Sequence, residues 1–467
     1  MKPVLVLGGA IAGGSRVSDV DRAVTRSFRT WCAATLCWAG FGSAPVLAAE
    51  LAYGAGYSLA YDSNITRVPS GEVAEFTQTL LGGFAYQERS VDSTARVLAQ
   101  VERRDYLRKT YTDDYALFVD AAGAWAIVPK LFSWNIQDVA RQARIDLTAP
   151  DTPSNRTNVN FLSTGPDFTF RLGPANTAAI GAAYGRLDVA NASGDNERYS
   201  GYARWLHPLS AQTTLSANYE AIRVDFQDPI SFTNYRQEDA FLRYETHASF
   251  NTLTIDAGAS RVTPDGAKEL TGPLARLKLW RQLTSESSLW AALESLYSNT
   301  GNDLLAAVVT SPTRPVGSGP LPSAIVITND VYYSKRGDIA YENQGGYLGF
   351  ALRGHARNVD FQEQNQNDFD EYGGRIEGTW LFTGEARIRA YTDYLKRTFS
   401  NTGQTDTANN SGVAVTYGLT RNVNITVEGA RLEQSSTLPG NNFVDRRVVL
   451  FLTYSSAPLY SVRFIQQ

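Results

Sequence analysis

From Leu51 onward, apolar and polar positions alternate with a period of two. Leu51, Tyr53, Ala55, Tyr57, Leu59 and Tyr61 fall on one face, and Ala52, Gly54, Gly56, Ser58 and Ala60 on the other. Successive side chains of a strand point to opposite faces, so this segment predicts one strand long enough to cross a bilayer. The next segments repeat the design with charge on the second face. Ala95, Val97, Ala99 and Val101 oppose Arg96, Gln100 and Glu102, and Leu215, Ala217, Tyr219 and Ala221 oppose Ser216, Asn218 and Glu220. Further on, Leu348, Phe350 and Leu352 oppose Arg353 and His355, and Val423, Ile425 and Val427 oppose Asn424, Thr426 and Glu428. Val448, Leu450, Leu452 and Tyr454 close the series. A slip of one residue would carry these charges to the apolar face, so the register is tightly specified.

The connections alternate in length. Short ones lie at Val128-Pro129-Lys130, Gly173-Pro174-Ala175-Asn176, His207-Pro208-Leu209-Ser210, Phe250-Asn251, Thr383-Gly384-Glu385 and Thr420-Arg421-Asn422. Between them fall longer polar stretches at 62–74, 146–156, 188–197, 227–234, 263–270, 298–328, 358–369, 399–410 and 434–442. Short periplasmic turns and longer extracellular loops are the rule for outer-membrane barrels, and an N-terminus in the periplasm puts every long stretch outside the cell. The pattern predicts an all-β fold, a single closed antiparallel transmembrane β-barrel of about 18–20 strands. Beyond residue 50 there is no apolar run of about 20 residues, the length a spanning helix needs. A closed barrel is then the architecture that satisfies every backbone hydrogen bond in hydrocarbon.

Composition adds compartment and processing. Residues 22–49 read as an export signal: Arg22, Arg26 and Arg29 form a basic region, Thr30–Gly42 an apolar one, and Ser43–Ala49 a small-residue cleavage region. The expected organisation is a signal peptide with a long leader at 1–49, an outer-membrane barrel at 50–455 and a short C-terminal extension at 456–467. Both cysteines, Cys32 and Cys37, precede the expected cleavage, so the mature chain contains none and offers no disulfide or thiolate site. Val4 to Gly13 has the look of a strand and glycine turn, but a basic stretch follows it instead of the helix and second strand of a dinucleotide-binding unit. Residues 1–49 hold five of the 43 basic residues and two of the 47 acidic ones, leaving 38 against 45, a net charge of −7. Interspersed charge of that sign argues against nucleic acid as a partner.

Function is expected in the lumen. Strand parity places Arg96, Glu102, Arg204, Glu220, Arg243, Glu245, Arg276, Lys278, Arg353, Arg375, Glu377, Arg387, Arg389 and Asp393 on inward faces. These side chains either line a pathway selective for anionic or hydroxyl-rich solutes, or pair with one another across strands in a solvated interior. Tyr57, Tyr86, Trp125, Trp205, Trp280, Trp380 and Tyr394 at strand ends read as interfacial girdles, with a sugar-binding track as the alternative. The loop 298–328, with its Pro- and Gly-rich run Thr310–Pro320, is the one candidate for an internal constriction, although its composition favours an exposed loop. Enzymatic readings lack residues: His207, His247 and His355 are the only histidines, none has an evident serine partner, and no cofactor or metal site is expected. The acidic run around Asp360–Asp370 matches no calcium-loop spacing and reads as solvated surface.

Two segments carry a family resemblance: Tyr61-Asp62-Ser63-Asn64-Ile65 after the first strand, and Asp445-Arg446-Arg447-Val448-Val449-Leu450-Phe451-Leu452-Thr453-Tyr454 in the last. Together they resemble the β-barrel porin type 2 group, which includes the EpsL-like outer-membrane proteins of exopolysaccharide gene clusters. The resemblance spans about residues 51–455. It implies a bacterial outer-membrane barrel, not an enzyme, that serves export or assembly of surface polysaccharide, with outer-membrane lipid around it and a possible periplasmic export partner. The alternatives are a general or solute-selective diffusion porin and a structural barrel docking a periplasmic partner. One departure is the tail Ala457–Gln467, which follows the expected terminal aromatic; either it is a periplasmic extension or the terminal signal ends at Phe464.

Overall fold

In a computed structural model, the structure describes residues 49–190, 192–228, 232–304, 330–362 and 367–456. The expected signal peptide with Cys32 and Cys37, the run Thr310–Pro320 and the tail from Ala457 lie outside these residues. The described chain forms a 20-stranded antiparallel sheet closed on itself. Its strands are β1 (Ala49–Asp62), β2 (Glu75–Arg89), β3 (Ser93–Tyr106), β4 (Asp114–Val128), β5 (Phe132–Arg144), β6 (Arg156–Arg171), β7 (Thr177–Val189), β8 (Asn196–Pro208), β9 (Thr213–Phe226) and β10 (Tyr235–Ala248). The second half comprises β11 (Asn251–Pro264), β12 (Leu270–Gln282), β13 (Ser287–Ser298), β14 (Tyr332–Gln344), β15 (Leu348–Phe361), β16 (Phe369–Leu381), β17 (Ala386–Phe399), β18 (Thr405–Gly418), β19 (Val423–Ser436) and β20 (Phe443–Ser455). Each strand pairs with the next, and β1 also pairs with β20, from Gly54 opposite Ser455 to Asp62 opposite Arg447. Closure removes both sheet edges, which hydrocarbon does not tolerate.

Directly paired residues share a face, so parity can be followed around the barrel. Ala60 lies opposite Thr77, Thr77 opposite Tyr106, and the sequence of pairs returns through Val449 to Ala60 without a break in parity. On the other parity Leu51, Tyr53, Leu80, Leu242, Leu293, Ile339, Ile376 and Val448 are exposed and form a continuous apolar belt. This belt faces lipid, and the charged parity faces inward. Strands are joined alternately by turns of two to five residues, such as 249–250 and 419–422, and by longer loops, such as 63–74, 145–155 and 299–331. The turns share the end where β1 begins.

The two segments that carry the family resemblance meet at the seam where β20 closes on β1. Asp445 Oδ1 accepts hydrogen bonds from the Asn64 backbone amide at 2.9 Å and from Ser63 Oγ at 3.2 Å. Arg447 lies 3.5 Å from Asp62. Asn64 is fully buried; its Nδ2 donates to the Val68 carbonyl at 2.7 Å and its Oδ1 accepts from the Val68 amide. Truncating Asn64 to Ala leaves buried backbone groups unpaired, at a cost of about 1–3 kcal/mol. We expect Asn64→Ala to lower the temperature at which the folded band converts to the unfolded one on SDS gels. An unchanged transition removes Asn64 from the seam's stability.

Candidate functional site

The register puts Arg96, Glu102, Arg204, Glu220, Arg243, Glu245, Arg276, Lys278, Arg353, Arg375, Glu377, Arg387, Arg389 and Asp393 all on the inward face. Opposite charges meet there. Asp256, almost wholly buried, receives Arg243 at 2.7 Å and Arg276 at 3.3 Å. Arg375 bridges Glu377 at 2.6 Å and Asp393 at 3.1 Å, and Arg389 reaches Glu428 at 2.9 Å. Lys278 pairs with Glu294, Arg353 with Glu342, Arg96 with Asp120 and Glu102 with Arg104. Glu245 holds His247 at 2.8 Å, and Arg204 donates to Asn218 at 2.7 Å. Paired, hydrogen-bonded charge is what a half-desolvated interior requires.

Strands β12 to β17 present Arg276, Lys278, Arg336, Arg353, Arg375 and Arg389 inward with their acids. The inward face of β1 offers only Ala52, Gly54, Gly56, Ser58 and Ala60 along most of its length, and β7, across the lumen from β17, offers Ala179, Gly181, Ala183 and Gly185. A Cβ at Gly181 would meet Asp167 Oδ1 and the Tyr202 ring, so glycine leaves room for both side chains. Two cavities open on the inner surface. One, of about 370 Å³, is bordered by Glu220, Asp239, Arg276, Lys278, Glu294 and Asp303, and the other, of about 570 Å³, by Arg96, Asn135, Gln137, Asp167 and Tyr202.

The extracellular mouth is crossed from opposite walls by two loops. The loop 145–155, between β5 and β6, sends Leu147 into an apolar cluster with Tyr332, Val359, Phe361, Phe369 and Phe399 at the tops of β14 to β17. Nine strands lie between β5 and β15 in either direction, so this contact spans the barrel. The Thr148 carbonyl accepts from Gln404 Nε2 at 3.0 Å and Asn441 Nδ2 at 2.6 Å, side chains of two further loops. Asp151 is gripped in a bidentate pair by Arg156, at 2.6 and 3.0 Å, and its backbone carbonyl accepts from Arg67 in the first loop. Arg67 adopts a left-handed backbone at φ 54°, rare outside glycine, on the turn anchored by Asn64.

The second loop follows β13 and departs from the sequence expectation. Composition favours an exposed loop for 298–328, yet Asn299, Thr300 and Leu304 are buried, and residues 300–304 are helical. Leu304 packs against Val139, Ala143, Val159, Phe161, Leu187 and Val189 on β5 to β7. Asp303 pairs with Arg357 at 2.8 Å, and Asn299 accepts from Arg198 at 2.7 Å. An apolar Leu after an Asn/Asp-rich start is the only local hint, and nothing in the strand periodicity locates its partners.

Trp280 also departs from the girdle expected for it. The register places Tyr57, Tyr86, Trp125, Trp205, Trp380 and Tyr394 outward, whereas Trp280 faces inward directly opposite Trp290. Both tryptophans are half-buried near the turn end of the lumen, one inward step beyond Lys278 on β12 and two beyond Glu294 on β13.

Burial disfavours the ionised form of Asp151, but Arg156, Arg67 and Arg144 outweigh it and hold its carboxyl well below the usual carboxylate range. A depressed pKa makes the latch fully charged above the ordinary carboxylate pKa of about 4, and weakens it only as pH falls through the lower value. We therefore expect conductance to be flat between pH 7 and pH 5 and to rise only in stronger acid. A rise centred near pH 6 would exclude Asp151 as the controlling group.

A closed barrel with an apolar outer belt, short turns at one end and a charged lumen is a bacterial outer-membrane β-barrel of porin-like form. Residues 371–455 match the family model described as "Putative beta-barrel porin 2", which bears out the resemblance over that stretch. No curated protein matches the chain. Among solved structures, the copper transporter OprC is 12% identical, covering 89% of this chain and 82% of its own, with a TM-score of 0.43. The FrpB iron transporter from Neisseria meningitidis, in its F5-1 variant apoprotein form, is 11% identical over 86% of this chain and 81% of its own, with a TM-score of 0.42. OccK2 from Pseudomonas aeruginosa is 9% identical over 88% and 98%, with a TM-score of 0.37.

Proposed function

We propose that the protein is a gated outer-membrane channel for small hydroxyl- or carboxylate-bearing solutes, its lumen lined by the Arg and acid pairs of β12 to β17. The observation that carries this reading is the double crossing of the mouth: loops 145–155 and 299–304 reach opposite walls, above an inner surface indented by adjoining cavities of a few hundred Å³. Cavities of that size suit solutes no larger than an oligosaccharide fragment. Arg donors hold carboxylates and sugar oxygens, and the inward Trp280 and Trp290 offer flat apolar faces beside them. A second reading, a conduit for exopolysaccharide, follows from the resemblance carried by Tyr61–Ile65 and Asp445–Tyr454. It requires both loops to leave the mouth and a periplasmic partner to drive the polymer, because a passive barrel has no energy source.

The test is single-channel recording of the refolded protein in a planar bilayer, with disaccharides, uronates or purified surface polysaccharide on one side. Small conductance steps blocked by the small solutes support the first reading. Steps blocked by the polymer alone support the second, and no conductance from a folded barrel overturns both.

A further inference from the structure

The motif Asp445-Arg446-Arg447 divides by parity. Asp445 and Arg447 turn inward to the seam, and Arg446 points outward, where the lumenal reading has no use for it. Directly opposite, on β19, is the outward Arg431. The same row continues across β18 and β17 as Ser411 and Thr392, whose hydroxyls lie 2.8 Å apart. Below it on β20 run the exposed apolar residues Val448, Leu450, Leu452 and Tyr454, with Val427 on β19. Nine residues of tilted strand separate Arg446 from Ser455, a rise of about 25 Å, the height of the apolar band of such barrels. Arg446 therefore stands at the boundary between hydrocarbon and headgroups on the loop side, with Arg431 beside it, while the strand tilt carries Ser411 and Thr392 down to the middle of β18 and β17.

Like charges directly opposite on a sheet repel unless something compensates them. Arg431 has Glu433 at 2.9 Å, but Arg446 has no ion-pair partner among the described residues. Three other outward arginines at this end are neutralised: Arg103 by Asp105, Arg186 by Asp188, Arg223 by Asp265. We propose that Arg431 and Arg446 form a binding site for a phosphate group of the phosphorylated glycolipid in the outer leaflet. Two guanidinium forks supply paired donors to a phosphate, and the acyl chains lie on the apolar belt beneath.

The probe is diphosphoryl lipid A in detergent micelles, titrated against the immobilised, refolded full-length chain. The dephosphorylated lipid and inorganic phosphate serve as comparisons. Binding of the diphosphoryl lipid should weaken about tenfold or more in the double variant Arg431→Ser/Arg446→Ser and remain near wild type in Arg431→Lys/Arg446→Lys. Arg186→Ser, which removes a paired outward arginine, should leave binding unchanged, and heat-shift on SDS gels checks that each variant is folded. Equal binding by wild type and the Ser variant, or equal binding of the dephosphorylated lipid, overturns the site. Competition by inorganic phosphate as effective as by the lipid overturns the lipid assignment.

Discussion

Replacing residues 147–153 with a short Gly-Ser turn should raise single-channel conductance several-fold. The segment holds Leu147, Thr148 and Asp151, the three points by which the loop is fastened to the far wall, to the 400–404 and 437–442 loops, and to the first loop. Strands β5 and β6 pair from Phe132 opposite Phe168 to Arg144 opposite Arg156, so the wall keeps its register without the loop. Twenty strands enclose a lumen roughly 40 Å across between backbones, far wider than the passages left once both loops are seated. Asp151→Asn should give a smaller increase, because it weakens the pairs with Arg156 and Arg67 but leaves Leu147 buried. Removing the second crossing through Leu304→Asp places a charge among Val139, Val159 and Leu187, which drives the segment out of its apolar seat. The two loops cross one opening from opposite walls, so the combined variant should exceed the sum of the single increases. Conductance unchanged in the combined variant would show that the narrowest point lies deeper, between the charged wall and β7.

Strand existence and parity were legible from the sequence because hydrocarbon enforces a strict alternation. Leu51 to Tyr61 and Val423 to Val427 could not be written otherwise in a wall with lipid on one side. Legibility faded where strands leave the membrane. Thr405–Asn410 reads as a loop because Thr, Asp, Thr, Ala, Asn and Asn are polar on both faces, yet these residues form the top of β18, where the outer face meets headgroups and water. Asn358–Phe361 at the top of β15 was hidden in the same way. Inward charges were readable by parity alone, but their partners were not: Asp256, shared by Arg243 and Arg276, emerges only when three strands are set in register. The mouth was least legible. Leu147 meets Phe361 and Phe399 only because the barrel closes at twenty strands, which brings β5 opposite β15, and no local pattern encodes that closure. Trp280 shows the converse limit: its position near a strand end suggests an interfacial girdle, while its parity, set by Asp256 opposite Arg276, turns it inward.

The second large effect concerns ion preference. Replacing Arg387 and Arg389 with Ser should shift the barrel's selectivity toward cations, read as a reversal potential moving in that direction across a salt gradient. Both residues are inward on β17, opposite Thr416 and Ala414 of β18, toward the end of the lumen where the turns lie. Arg389 is paired with Glu428, which also accepts from Tyr391 at 3.0 Å. Its loss leaves that carboxylate unneutralised in the lumen. The double change therefore removes two positive charges and exposes one negative charge within a short stretch, on a wall that faces the uncharged β7. In a pathway narrowed by loops and low in dielectric, such a change is screened less than it would be in bulk water, where the Debye length at 0.1 M salt is about 10 Å. Raising the salt should accordingly shrink the difference between variant and wild type. The companion variant Glu428→Gln should move selectivity the opposite way, toward anions, because it frees Arg389. If both variants keep the wild-type reversal potential at low salt, these charges serve only to pair with one another, and the conducting path runs along the wall of small residues instead.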